Sequence, residues 1–86
     1  MYQIAYDDKW GYYFDQLDEE TKERVVKKIK KILEFPEKRH LKHINFFVDE
    51  IGQNRITYAV YKEQNKVKFY FVGTHKEYEK WYDHFF

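Results

Sequence analysis

The chain has 86 residues, enough for one hydrophobic core and not for a second. Aromatic residues make up 22% (nine Tyr, eight Phe, two Trp) against three Gly and one Pro, which excludes a low-complexity or collagen-like chain, because that much ring surface must pack somewhere. Charged residues make up 36%, no apolar run approaches the ~20 residues of a membrane span, and the lack of cysteine excludes disulfides, thiolate metal sites and a thiol nucleophile. Residues 1–8 carry none of the basic and apolar regions of a signal peptide. The expectation is a soluble cytoplasmic protein, one domain over residues 1–86, without membrane contact.

The formal net charge of +1 hides a strong asymmetry. Residues 1–21 hold one Lys and six acids, whereas residues 22–43 hold nine Lys and Arg against three Glu. Binding to a polyanion depends on such local clustering rather than on the total, although a Lys-rich helix is also simply a solvated face.

In chain order, Met1–Tyr6 is short and β-prone. Over residues 8–16 the spacing of Trp10, Tyr13, Phe14 and Leu17 predicts a short helix despite Gly11. Asp18 is an N-cap candidate for the next helix, with Glu19 and Glu20 in its first turn. Val25, Val26, Ile29, Ile32 and Leu33 form its apolar stripe, and Arg24, Lys27, Lys28 and Lys31 a basic one. Pro36 stops it near Glu34 or Phe35. After a basic connector, Glu37 to His43, the period changes. Phe46–Ile51, Arg55–Tyr61 and Val67–Val72 read as strands, separated by turns at Gly52-Gln53-Asn54 and Glu63–Lys66. Gly73-Thr74 is expected to break the last strand. Thr74 and Glu77 match a capping box ahead of a final helix with Tyr78, Trp81, Tyr82 and Phe85 on one face. The order β-α-α-β-β-β-α is an α+β layout: a small antiparallel-rich sheet with helices packed on one face.

The sequence has no Gly-rich phosphate loop, no HExxH, no Asp-rich calcium loop and no serine, so phosphate-loop and serine-nucleophile enzymes are poor readings. His40 and His43 stand three apart without a carboxylate or third ligand nearby, a weak zinc pattern, and no metal or cofactor is expected. Arg55 opens a mostly apolar strand. It either pairs with Asp49 or Glu50 across the hairpin or holds a phosphate through its forked donors. His75 follows the last strand, and imidazole suits acid–base work near neutral pH, though a lone histidine there is more often a surface residue. A hairpin register would place Arg55 and His75 at the same sheet edge.

Three strings add up to a resemblance: Arg39-His40-Leu41-Lys42, Ile51-Gly52-Gln53-Asn54-Arg55-Ile56 and Phe71-Val72-Gly73-Thr74-His75-Lys76-Glu77-Tyr78. In this order and spacing the chain resembles the RelE/ParE toxin superfamily over nearly its whole length. The resemblance implies the same β-α-α-β-β-β-α fold. It also implies a toxin of a type II toxin–antitoxin system: in the RelE branch a metal-independent mRNA endoribonuclease acting in the ribosomal A site, in the ParE branch an inhibitor of DNA gyrase. A catalytically inactive homologue that only binds antitoxin is a third reading. The histidines favour the first. By position, Arg55 matches the arginine on the scissile phosphate, and His75 matches a general acid or transition-state stabiliser. Lys42 matches a basic connector that supplies charge or a base. His40, His43, Lys27, Lys31 and Tyr78 are the expected RNA-binding residues. The C-terminal tyrosine of some members has no clear counterpart, Trp81 holding the nearest spacing. The partners implied are a cognate antitoxin, mRNA and the ribosome. An acidic amphipathic antitoxin segment would cover the Arg24/Lys27/Lys28/Lys31 stripe or exposed aromatic surface.

Overall fold

Local chemistry sets the element boundaries. In the computed structural model, which describes residues 2–34 and 46–85, the chain runs β1 (Gln3–Tyr6), α1 (Trp10–Asp15), α2 (Glu19–Glu34), β2 (Phe46–Ile51), β3 (Asn54–Tyr61), β4 (Lys66–Thr74) and α3 (His75–Phe85). Asp18 Oδ1 accepts the Thr21 backbone N–H at 2.8 Å and so caps α2. At α3 the capping box closes in both directions. The Thr74 N–H donates to Glu77 Oε1 at 2.8 Å, and the Glu77 N–H donates to Thr74 Oγ1 at 3.2 Å.

The four strands form one mixed sheet in the order β1-β4-β3-β2. β2–β3 and β3–β4 are antiparallel, and β1 joins β4 in parallel. This is the expected α+β order, with strand boundaries moved at the start of β3 and at both ends of β4, which takes in Lys66 opposite Tyr61. Asn54, expected in the turn, pairs with Ile51, so the β2–β3 turn is only Gly52-Gln53. Gly52 takes φ +60°, which suits a two-residue hairpin loop that opens on glycine. Gly73 and Thr74 do not end the last strand, because they pair with Arg55 and Asn54. At the other hairpin a 3₁₀ turn (Lys62–Gln64) leads into Asn65 at φ 52°.

The helices cover both faces of the sheet rather than one. Phe47 and Phe46 are neighbours on β2 and point to opposite sides. Phe47 stacks on Tyr58 with ring centres 5.5 Å apart, within the core that holds Val25, Ile29 and Ile32 of α2 and Trp10 of α1. Phe46 meets Phe85 of α3 at 5.3 Å. The reason lies in β3, where Ile56–Val60 are all buried, so neither face can be left to water. A bulge reconciles β4 with this. Thr57 pairs with Phe71 but Tyr58 pairs with Phe69, which leaves Tyr70 as an extra residue. Beyond it the alternation changes phase, so that Val67, Phe69 and Val72 belong to the α2-side core while Phe71 stacks on Trp81 of α3 at 5.4 Å.

The Thr57 hydroxyl is fully buried without a hydrogen-bond partner among the described residues. An unpaired buried hydroxyl costs about 1–3 kcal/mol. Thr57→Val should therefore raise unfolding stability by about 1 kcal/mol in urea denaturation. A loss of stability would show that the hydroxyl is paired.

Candidate functional site

Arg55 is the second residue of β3, facing Glu50 across β2 and Gly73 across β4. Its guanidinium lies 5.1 Å from the centre of the Tyr78 ring and 3.8 Å from a Glu50 carboxylate oxygen. The cation–π contact fixes where the charge sits, and the ion pair is long and half-open to solvent. Burial raises the Tyr78 hydroxyl above its ordinary pKa and Arg55 partly offsets this, so Tyr78 stays a neutral support.

Gly73 gives the strand end its shape. A Cβ there would stand 2.7 Å from Phe71 Cζ and 2.8 Å from Glu77 Oε1, the oxygen that closes the capping box. That closure makes His75 the first residue of α3, where its Nε2 lies 3.3 Å from Glu79 one turn on, with both side chains exposed.

Arg55 and His75 line one cavity of about 510 Å³, together with Lys76, Glu50, Thr74 and the turn residues up to Asn54. The structure thus brings the two leading sequence candidates together. Of the two acids expected to pair with Arg55 across the hairpin it is Glu50 that does so, and Lys76 enters the cavity as the neighbour of His75. Tyr78 sits beneath Arg55, 8% exposed, instead of presenting an open ring. Lys27 and Lys31 lie exposed on α2, across the sheet from α3. Arg24, on the same stripe, reaches the cavity's rim, its Nη1 standing 3.1 Å from where a Gly52 Cβ would be. Lys28 leaves the stripe to pair with Asp49 at 3.4 Å. Lys42, His40 and His43 lie outside the described residues. Among the described residues no cluster of three His, Asp or Glu could hold a metal ion, and no helix is long and apolar enough to cross a membrane.

No family model and no curated protein matches this sequence. The backbone does find matches. The matched structures share its mixed sheet and flanking helices. The isolated Escherichia coli RelE toxin superposes with a TM-score of 0.79 at 19% identity, over 100% of both chains. A chain of the intact E. coli RelBE toxin–antitoxin complex gives 0.79 at 22%, over 86% of this chain and 96% of that one. The Mycobacterium tuberculosis RelBE2 toxin–antitoxin complex gives 0.75 at 16%, over 86% and 98%. The chain has a RelE-like toxin fold.

Glu50 competes for the donors of Arg55. Because exposed ion pairs are worth about 0.2–1 kcal/mol, Glu50→Gln should tighten binding of inorganic phosphate up to about fivefold at low salt, read by calorimetric titration. Weaker binding would mean that Glu50 orients Arg55 rather than masking it.

Proposed function

We propose that this protein is the toxin of a toxin–antitoxin pair and a metal-independent endoribonuclease that cleaves mRNA, on the ribosome, and so arrests translation. The observation that carries this reading is the meeting of Arg55 and His75 on one cavity, with Lys76 beside them. In the reaction the RNA 2′-oxygen attacks the adjacent phosphorus. The new 2′-O–P bond forms as the P–O5′ bond breaks, leaving a 2′,3′-cyclic phosphate and a 5′-hydroxyl. Arg55 offsets the charge that grows on the non-bridging oxygens, and its forked donors suit that geometry. His75 hands its proton to the departing 5′-oxygen. The base that takes the 2′ proton comes from the connector, with Lys42 the leading choice and His40 and His43 beside it. Lys27 and Lys31 carry the RNA backbone along α2 toward Arg24 and the cavity rim.

An antitoxin is the proposed regulator. Antitoxin complexes exist for the E. coli and M. tuberculosis proteins of this fold. Here Arg24, Lys27 and Lys31, which have no ion-pair partner among the described residues, offer an acidic partner segment a footing on α2.

Loss of a positioned acid–base group typically costs ~10²–10⁴-fold in rate, and loss of an oxyanion-type donor about 10²–10³-fold. Arg55→Ala and His75→Ala should each suppress transcript cleavage and growth arrest by such factors while circular dichroism stays unchanged. Full arrest by folded His75→Ala would remove His75 from the chemistry. Gyrase inhibition without RNA cleavage would replace the ribonuclease with a gyrase poison.

A further inference from the structure

The two edges of the sheet are built differently. On β2, Asp49 Oδ1 accepts the Glu50 N–H at 2.9 Å, and Lys28 stands 3.4 Å from the same oxygen. A side chain that occupies an edge N–H, with charges beside it, blocks the addition of another strand. β1 has no such device. Its residues, Gln3-Ile4-Ala5-Tyr6, include no charge and no proline, and among the described residues no strand pairs beyond it. The Gln3 and Asp7 N–H groups donate inward, to the Asn65 and Phe69 carbonyls, each at 2.8 Å. Ile4 and Tyr6, one step out of phase, therefore turn their N–H and C=O groups outward. Their side chains are 41% and 48% exposed, although their β4 partners, Val67 and Phe69, belong to the core.

These outward groups are symmetric about Ala5. A two-fold axis beside Ala5 sets β1 antiparallel to a second β1, with Ile4 opposite Tyr6 of the partner subunit and Tyr6 opposite Ile4 of the partner subunit. In that register every outward N–H and C=O of the two residues finds a mate. Each contact is also a β-branched–aromatic pair, a favourable kind across antiparallel strands, on the face of Val67 and Phe69. The other face carries charge. Lys66 stands beside Gln3 in the β1–β4 register and has no ion-pair partner among the described residues. The same axis sets Asp7 of the partner subunit opposite Gln3, two strand spacings or about 10 Å from Lys66, within the joint reach of both side chains. Symmetry makes this charge match twice.

We propose that the free edge of β1 pairs with β1 of a second copy of this chain, joining the two sheets into one. β1 flanks only the Lys66–Phe69 half of β4, whereas the cavity of Arg55 and His75 lies at the Thr74 end, so the dimer leaves both cavities open. The proposal does not depend on the ribonuclease reading. Strands this short bury less than a standard interface, so the dimer is weak and dissociates on dilution.

Sedimentation equilibrium from about 10 µM to about 1 mM, with amide hydrogen exchange followed by NMR, tests it. The weight-average mass should rise toward twice that of the chain. The Ile4 and Tyr6 amides should gain protection as concentration rises, while the Gln3 amide stays protected throughout. Ile4→Lys removes both Ile–Tyr pairs and should weaken dimerisation about 2- to 30-fold. Lys66→Glu should weaken it at low salt, by a factor that shrinks as salt is added. Thermal melts verify folding, and if Ile4→Lys does not fold, Lys66→Glu decides. A chain that stays monomeric at about 1 mM would overturn the proposal. So would a dimer whose Ile4 and Tyr6 amides exchange as they do on dilution, which would place its interface elsewhere. Dimerisation unchanged in the folded variants would overturn it too.

Discussion

Arg55 stands opposite Gly73 because all eight residues of β3 pair with β4, and because one bulge at Tyr70 absorbs the mismatch between the two ends of that ladder. On one side of the bulge, Val67 and Phe69 pack with the α2 core. On the other, Phe71 and Gly73 face α3 while Val72 returns to the core. Removing the extra residue would shift the register by one and turn these side chains to the wrong faces. It would also part Arg55 from Gly73 and from the Tyr78 ring that supports its guanidinium. The site is thus a product of strand pairing more than of any local motif.

Gly73 couples that pairing to the final helix. The lack of a Cβ lets Phe71 and Glu77 close over the strand end, and Glu77 then caps α3 so that His75 begins it. An arginine delivered by one strand and a histidine delivered by the start of a helix are held by two hydrogen bonds and one tight approach. Both side chains remain accessible, with carboxylates of Glu50 and Glu79 as exchangeable neighbours. Exposed pairs of this kind are weak, so a phosphate can displace them at small cost.

Much of this was legible in the sequence. The Asp18 cap, the Thr74/Glu77 box and the three-strand meander are local signals, and each formed as its residues dictate. The joint position of Arg55 and His75 followed from hairpin pairing. What the sequence concealed was non-local. Parallel pairing of the four residues of β1 with β4 leaves no local mark, and the bulge at Tyr70 hides within a run of aromatics. The run Ile56–Val60, apolar but for Thr57, did carry the signal that both sheet faces are covered, but it conflicts with the one-sided layout that helix–helix–meander order suggests. Of the two acids the hairpin offered Arg55, the β2–β3 register selects Glu50, while Asp49 turns to Lys28.

The central claim is that the end of the β3–β4 ladder binds an RNA phosphate. A crystal structure with a fully 2′-O-methylated RNA bound tests it most directly. The expected result is one phosphate within ~3 Å of the Arg55 guanidinium, facing His75, with Glu50 displaced. RNA seated only on the α2 stripe, with Arg55 still paired to Glu50, would contradict it.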